Sequence, residues 1–133
     1  MGVQLYTEEQ ARALLPEVIG IVERLRAAFV ELRALQAAVA SEARGASGDG
    51  NLVANPWESK EGGNRAEALN RELQGRAAQL AQLGVEVKDP ERGLIDFYSE
   101  REGRVVYLCY ELGEPDLMYW HEVDAGFAGR QRL

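Results

Sequence analysis

The sequence has few of the residue types that cross-link small proteins or bind metals: it contains one cysteine, Cys109, and one histidine, His121, among 133 residues. A lone cysteine excludes an internal disulfide and is typical of a reducing compartment. A lone histidine excludes the paired-histidine motifs of common zinc enzymes. No stretch approaches the roughly 20 apolar residues of a membrane-spanning helix, and the start lacks the pattern of a signal peptide. We therefore expect a cytoplasmic protein without a membrane segment.

The composition is that of a folded protein, with 46% hydrophobic and 28% charged residues. A chain of this length can build one hydrophobic core, so residues 1–133 are expected to form a single domain. The formal net charge of −7 repels phosphate backbones, which argues against a general nucleic-acid binder. It favours partners that are neutral or basic, or cationic metals.

The first half of the chain predicts a long amphipathic helix over about residues 7–44. Thr7 and Gln10 form a capping box, in which each side chain can bond to the backbone amide of the other residue. Apolar residues then recur at steps of three and four, which gives the helix one apolar seam. So long a seam exceeds what a compact core of this size can cover. We expect a homodimer, another homo-oligomer or a protein partner to complete its burial through the long helix.

A second helix is predicted over about residues 64–83, with Asn64 as its capping residue and leucines at helical spacing. The stretch between the helices is rich in glycine, serine and asparagine, and it predicts a mobile loop over about residues 45–63. Trp57 lies inside this loop. Two amphipathic helices joined in this way are expected to pack as an antiparallel hairpin.

The C-terminal part, about residues 94–133, changes to the pattern of strands. "LIDFYSE" and "RVVYLCYEL" are rich in β-branched and aromatic residues, and "REG" between them suits a hairpin turn. Residues 115–124 fit either a third strand or a short helix, and their aromatics favour the strand. The predicted fold class is α+β: a long, coiled-coil-like antiparallel helical hairpin with an antiparallel sheet of two to three strands at the C-terminal end.

Several short motifs carry a family resemblance. "VYLC", "LGEP", "YWHE" and "GFAGR" in the C-terminal part, with "YTEEQARALLPEV" near the start, resemble the signature of the uncharacterised prokaryotic domain-of-unknown-function family numbered 2203. The resemblance covers nearly the whole chain. It implies a grouping and no established activity, so it assigns no catalytic residue.

The stretch "YWHEVD" carries the one histidine among carboxylates. His121 offers an imidazole nitrogen, and its neighbours Glu114, Glu122 and Asp124 offer hard oxygens, a mixture that suits zinc, manganese or iron. A divalent transition metal is therefore the candidate cofactor. On a helix, Glu114, His121 and Asp124 lie near one face, whereas on a strand His121 points away from Glu122 and Asp124. The alternative is a structural histidine that is hydrogen-bonded to the backbone or to a carboxylate.

The tail "GFAGRQRL" offers a second candidate site. Its glycines permit close backbone approach, and Arg130 can bind a carboxylate or a phosphate through two hydrogen bonds. We take Arg130 and Trp120 as the candidate ligand-binding residues. In the structural alternative, Trp120 and Phe127 anchor the tail on the helices, and Arg130 bridges to a carboxylate of a helix. Cys109, in the middle of a strand, predicts a buried small side chain and not a catalytic thiolate.

These patterns favour a non-catalytic protein that acts as an oligomeric interaction or scaffold module. The alternative function is a metal-binding protein, or a small metal-dependent hydrolase, that uses His121 and the carboxylates near it. A third class is a nucleic-acid accessory protein that uses the C-terminal arginines, which the net charge disfavours. The sequence names no catalytic residue, substrate or partner.

Overall fold

The computed structural model describes residues 4–45 and 60–133, which contain two long helices followed by a five-stranded antiparallel sheet. Helix α1 spans Glu8–Gly45 and helix α2 spans Lys60–Gln82. The strands are β1 (Val85–Asp89), β2 (Leu94–Arg101), β3 (Arg104–Glu111), β4 (Tyr119–Glu122) and β5 (Gln131–Arg132), and each pairs with the next along the chain. Neither helix in these ranges is long and apolar enough to cross a membrane.

The start of α1 confirms the predicted capping box. The Thr7 amide donates to the Gln10 side-chain oxygen at 3.0 Å, and the Gln10 amide donates to the Thr7 hydroxyl at 3.1 Å. Tyr6 and Ala11 on either side are buried. The Tyr6 amide also donates to the Tyr98 carbonyl at 2.8 Å, which ties the entry of the helix to the sheet.

The two helices form the predicted antiparallel hairpin. Ala28 and Leu32 of α1 share a buried cluster with Ala66 and Leu69 near the start of α2, whereas Leu80 near the end of α2 belongs to the core that contains the first half of α1. This pairing of opposite ends requires an antiparallel arrangement.

Two predictions about the connection between the helices have different outcomes. Helix α2 begins four residues before Asn64, so this residue lies inside the helix and not at its cap. The predicted loop over residues 45–63 falls mostly on residues 46–59, with Trp57, which lie outside the described residues.

The sheet has five strands and not the predicted two to three. Strand β1 was missed because "VEVKD" is short and three of its five residues are charged, although its alternation of valine with Glu86 and Lys88 suits a strand with one buried face. Strand β5 has only two residues, too few for any pattern to show. The preference for a strand within residues 115–124 is confirmed, since β4 occupies Tyr119–Glu122.

The turn between β2 and β3 fixes how the two strands pair. Only Glu102 and Gly103 lie between them, and both have positive φ, at 53° and 78°. Two residues with positive φ are the signature of a type I′ turn, whose twist matches that of the adjoining strands. This turn sets a regular register that continues from Arg101 opposite Arg104 to Leu94 opposite Glu111.

The register sorts the side chains onto two faces of different character. The inner face contributes apolar residues to the core shared with the helices: Val85, Val87, Ile95, Phe97, Val106, Leu108, Tyr110 and Trp120. Because neighbours along a strand point to opposite faces, the outer face carries the residues between them: Glu86, Lys88, Asp96, Tyr98, Tyr107, Cys109, Tyr119 and His121. The helices cover only the inner face, and polar groups accumulate on the outer one.

Two neighbouring valines of β3 test this assignment of faces. Val106 is 0% exposed and Val105 is 44% exposed. We expect Val106→Ala to lower the free energy of unfolding by about 2–3 kcal/mol, from two lost methyl groups and the cavity they leave. Val105→Ala should cost less than about 1 kcal/mol. Both variants change strand propensity alike, so the difference measured by urea denaturation reports burial; equal costs would contradict the assigned register.

Candidate functional site

Three neighbouring strands bring one carboxylate, one thiol and one imidazole together on the outer face. Asp96 of β2 lies opposite Cys109 of β3 in the register, and His121 of β4 lies opposite Tyr107, two residues before Cys109. Asp96 and Cys109 are each 1% exposed and His121 is 2% exposed. One ligand atom from each lies within 4.8 Å of the other two, the only such group among the described residues. We call these three residues the outer-face cluster.

The hydrogen bonds of His121 define its orientation. Its Nδ1 lies 2.8 Å from the backbone carbonyl of Glu122, and because a carbonyl can only accept, Nδ1 carries a hydrogen. Its Nε2 lies 3.1 and 3.2 Å from the two carboxylate oxygens of Asp96. A second proton must therefore lie between His121 and Asp96, on either partner, for the two to bond.

Burial determines the protonation of the other two residues. Burial raises the pKa of Asp96 above its ordinary value, while the charge of His121 and hydrogen bonding act in the opposite direction. Burial also raises the pKa of the Cys109 thiol, and the nearby Asp96 carboxylate raises it further. Cys109 is therefore a thiol and not a thiolate when the cluster holds only protons, which argues against a nucleophilic role.

A layer of tyrosines and charged groups surrounds the cluster on one side. The Tyr107 ring packs against the His121 ring with centroids 5.3 Å apart, and the Lys88 ammonium lies 4.4 Å above the same tyrosine. The Tyr107 hydroxyl donates to Glu86 at 3.0 Å, and Lys88 and Tyr98 also donate to this carboxylate. Although partial burial alone raises the pKa of Glu86, these hydrogen bonds hold it below its ordinary value.

The C-terminal tail covers the other side of the cluster. Tyr119 lies opposite Cys109 in the register, and the Arg130 guanidinium lies 4.0 Å from the Tyr119 ring centroid and 4.7 Å from that of Phe127. The Arg130 side chain is only 11% exposed. Its Nη2 donates to both oxygens of Glu114, at 2.7 and 2.8 Å. The tail thereby places a guanidinium beside the cluster.

The carboxylates that the sequence offered as metal ligands do not join His121. Glu114 binds Arg130, and Glu122 accepts a hydrogen bond of 2.9 Å from Arg104 Nε, which lowers the pKa of Glu122. Asp124 lies exposed in the turn after β4. This is the arrangement expected for a strand, in which His121 points away from its neighbours. Its carboxylate partner is Asp96, 25 residues earlier.

The aromatic residues of the tail lie on different faces. Trp120 is buried on the inner face, within the core shared with the helices, as the structural alternative expected. Phe127 is 39% exposed and lies between the guanidinium groups of Arg92 and Arg130, so the expectation that it anchors the tail on the helices is wrong. Arg130 pairs with Glu114 of the loop after β3 and not with a helix carboxylate.

The arginines of the C-terminal part do not form an open basic surface. Arg101 pairs with Glu8, Arg104 with Glu102 and Glu122, and Arg130 with Glu114. These ion pairs neutralise the charges that a phosphate backbone would need. The nucleic-acid alternative therefore gains no support from the described residues.

Two members of the outer-face cluster, Asp96 and Cys109, were not found as site residues from the sequence. Asp96 could have been recognised from its place within "LIDFY", because a carboxylate among strongly apolar strand residues needs a buried partner. Counting outward from a two-residue turn at Glu102 and Gly103 places Asp96 opposite Cys109. Only the pairing of β3 with β4, across a longer loop, then brings in His121.

The fold and the cluster define a class of protein: a small α+β protein with a helical hairpin on one face of an antiparallel meander and a buried Asp–Cys–His cluster on the other. The sequence matches the family described as Uncharacterized conserved protein (DUF2203) over residues 4–133. The chain belongs to this family, as the motifs indicated. No curated protein and no solved structure matches the sequence significantly.

Burial of the cluster predicts a poorly reactive Cys109 thiol. In the native protein we expect its reaction with a disulfide reagent at pH 8 to be on the order of a hundredfold slower than in denaturant, because burial limits access and raises the thiol pKa. The control is Val105→Cys in a Cys109→Ser background, which places an exposed thiol on the same strand and face. Equal native reaction rates for the two thiols would show that Cys109 is accessible.

Proposed function

We propose that this protein binds a divalent transition metal through Asp96, Cys109 and His121. The observation that carries the proposal is the convergence of three different ligand types, from three adjacent strands, within 4.8 Å. Thiolate, imidazole and carboxylate are the groups that bind zinc in proteins, and three of them with an open fourth position form a common arrangement. The proposal keeps the metal alternative from the sequence and replaces the carboxylates that it named.

The orientation of His121 supports this proposal. Histidines that bind metals usually donate their second ring N–H to a carbonyl or carboxylate, which fixes the tautomer and turns the other nitrogen toward the ion. The Nδ1–H of His121 donates to the Glu122 carbonyl in this way. Its Nε2 then points at Asp96. A cation between Nε2, the carboxylate and the thiolate replaces the shared proton and the thiol proton.

Rigid support also favours a binding site over an incidental contact. All three side chains project from paired strands, whose backbones hold them more firmly than a loop does. The buried Asp96 carboxyl loses hydration in its charged form and therefore needs a compensating group. A bound cation supplies that compensation and turns two protonated groups into two charged ligands.

Titration with Co²⁺ at pH 8 tests the metal site. We expect one ion per chain and a thiolate-to-cobalt absorption band in the near ultraviolet, with the ion displaced by Zn²⁺. Cys109→Ser should abolish the band, and Asp96→Asn or His121→Gln should weaken binding at least about tenfold, because each removes a ligand.

Matched controls separate this site from the carboxylates that the sequence proposed. Glu114→Gln, Glu122→Gln and Asp124→Asn each remove a carboxylate outside the cluster and should leave Co²⁺ affinity within about twofold. Absence of the thiolate band in the folded wild-type protein would refute the proposal. An equal loss of affinity in the control variants would point to a different set of ligands.

A second function, association of two copies through the long helix, is favoured by the far half of the hairpin. There Ala28 and Leu32 pack only against α2, in a cluster separate from the sheet core. On the outside of α1, a shallow groove of about 230 Å³ is lined by Phe29, Val30, Arg33, Ala34, Ala37 and Glu91. Small and apolar side chains with one charge of each sign suit a two-fold contact, because such a contact pairs a surface with itself.

Light scattering tests this association. We expect a mass near twice that of one chain at micromolar concentration, and Val30→Glu, which places a charge in the groove, should shift the equilibrium toward monomer at least tenfold. Ala38→Glu, an exposed position of the same helix outside the groove, is the matched control. A strict monomer in the wild type, or an equal effect of the two variants, would contradict the association.

A further inference from the structure

Arg130 has a hydrogen-bonding capacity that the described residues do not use. Only its Nη2 is bonded, to Glu114, and its Nε is buried without a hydrogen-bond partner among the described residues. A buried N–H that is left unpaired costs free energy, so native proteins rarely leave one without a further partner. The guanidinium is also held in place, by Tyr119 on one side and Phe127 on another.

The position of this guanidinium relates it to the proposed metal site. Tyr119, over which Arg130 lies, is the cross-strand neighbour of Cys109. Asp96, Cys109 and Tyr119 form one row across the outer face of β2, β3 and β4. Arg130 therefore lies beside the cluster, and its bond to Glu114 occupies Nη2 while leaving the Nε–H unused.

The proposed metal site leaves one coordination position of the ion for a ligand from outside the protein. A tetrahedral ion with three protein ligands takes its fourth ligand from outside the protein. Asp96 and a Cys109 thiolate together neutralise a divalent ion, so a hydrogen-bond donor nearby would add to the attraction for an anion at the fourth position. Arg130 offers such a donor: its charge is paired with Glu114, but its Nε–H is unpaired among the described residues, and a planar guanidinium suits carboxylates and phosphates.

We propose that the metal and Arg130 together form a binding site for a small oxyanion, one of whose oxygens binds the metal while another accepts a hydrogen bond from the Arg130 Nε–H. The ligand class is a carboxylate or a phosphate of small size, because the three residues of the cluster are almost completely buried. This inference rests on the proposed metal function. In this proposal Arg130 binds a carboxylate or a phosphate, as the sequence suggested, and the metal binds the same ligand.

The experiment uses the Co²⁺-loaded protein, with acetate and inorganic phosphate as separate probes. We expect at least one probe to change the visible bands of the bound Co²⁺ in a saturable way, because replacing the fourth ligand alters the geometry of the ion. Arg130→Gln should weaken that anion's affinity at least tenfold and leave Co²⁺ affinity within about twofold, because Arg130 is not a metal ligand.

Further variants separate a loss of binding from a loss of folding. Arg130→Lys keeps the positive charge but lacks the planar group that stacks on Tyr119; it should remain folded and lose most of the anion affinity. Arg132→Gln is the matched control, since Arg132 lies farther from the Tyr119 ring, at 5.9 Å, and should bind the anion as the wild type does. Circular dichroism of each variant verifies the fold.

The outcomes distinguish the two proposals. If Co²⁺ binds with its thiolate band but neither probe changes the visible bands, or Arg130→Gln responds as the wild type does, the oxyanion site is refuted and the metal site stands. If the folded protein shows no thiolate band with Co²⁺, both proposals fail. Saturable anion binding that Arg130→Gln weakens and Arg132→Gln does not would establish the oxyanion site.

Discussion

The pairing register of β2, β3 and β4 is the constraint on which the rest of the structure depends. Side chains alternate between the faces of a sheet, so a slip of one residue exchanges the two faces completely. In the observed register, Phe97 and Leu108 meet the helices while Asp96 and Cys109 meet on the other side. The two-residue turn at Glu102 and Gly103 admits little variation in that pairing, because both positions have positive φ. The same strand register therefore produces both the hydrophobic core and the polar cluster.

Asp96 and His121 can bond to each other only through a proton or a cation between them. A buried carboxylate next to an imidazole lone pair leaves two acceptors facing each other, and neither finds a donor in water. One proton resolves this conflict between Asp96 and His121, and the proposed cation would replace that proton. Removing one partner of such a buried pair typically costs about 3–5 kcal/mol, so these residues shape stability whatever else they bind.

Local features of the fold could be predicted from the sequence, and contacts across strands could not. The capping box of Thr7 and Gln10 and the helical periodicity depend on residues three or four apart, so their pattern is visible in the sequence. Strand β1 was missed because its charged residues resemble those of a turn. The partners of His121 were missed for a different reason: Asp96 lies 25 residues away, and only the register, set by the turns, makes them neighbours. Carboxylates close in sequence were the visible candidates, but alternation along β4 turns Glu122 the other way.

One side of the cluster faces the C-terminal tail, which few backbone hydrogen bonds attach to the sheet. Strand β5 pairs with β4 through two residues only, and the last backbone bond of the tail joins the Leu133 amide to the Met118 carbonyl at 2.9 Å. Chain ends with few hydrogen bonds open locally at a free-energy cost far below that of global unfolding. Release of the tail would lift Arg130 from Tyr119, and it would also remove Leu133 from its contact with the core shared with the helices. Local opening of the tail therefore offers a ligand a route to the cluster that does not require the whole protein to unfold.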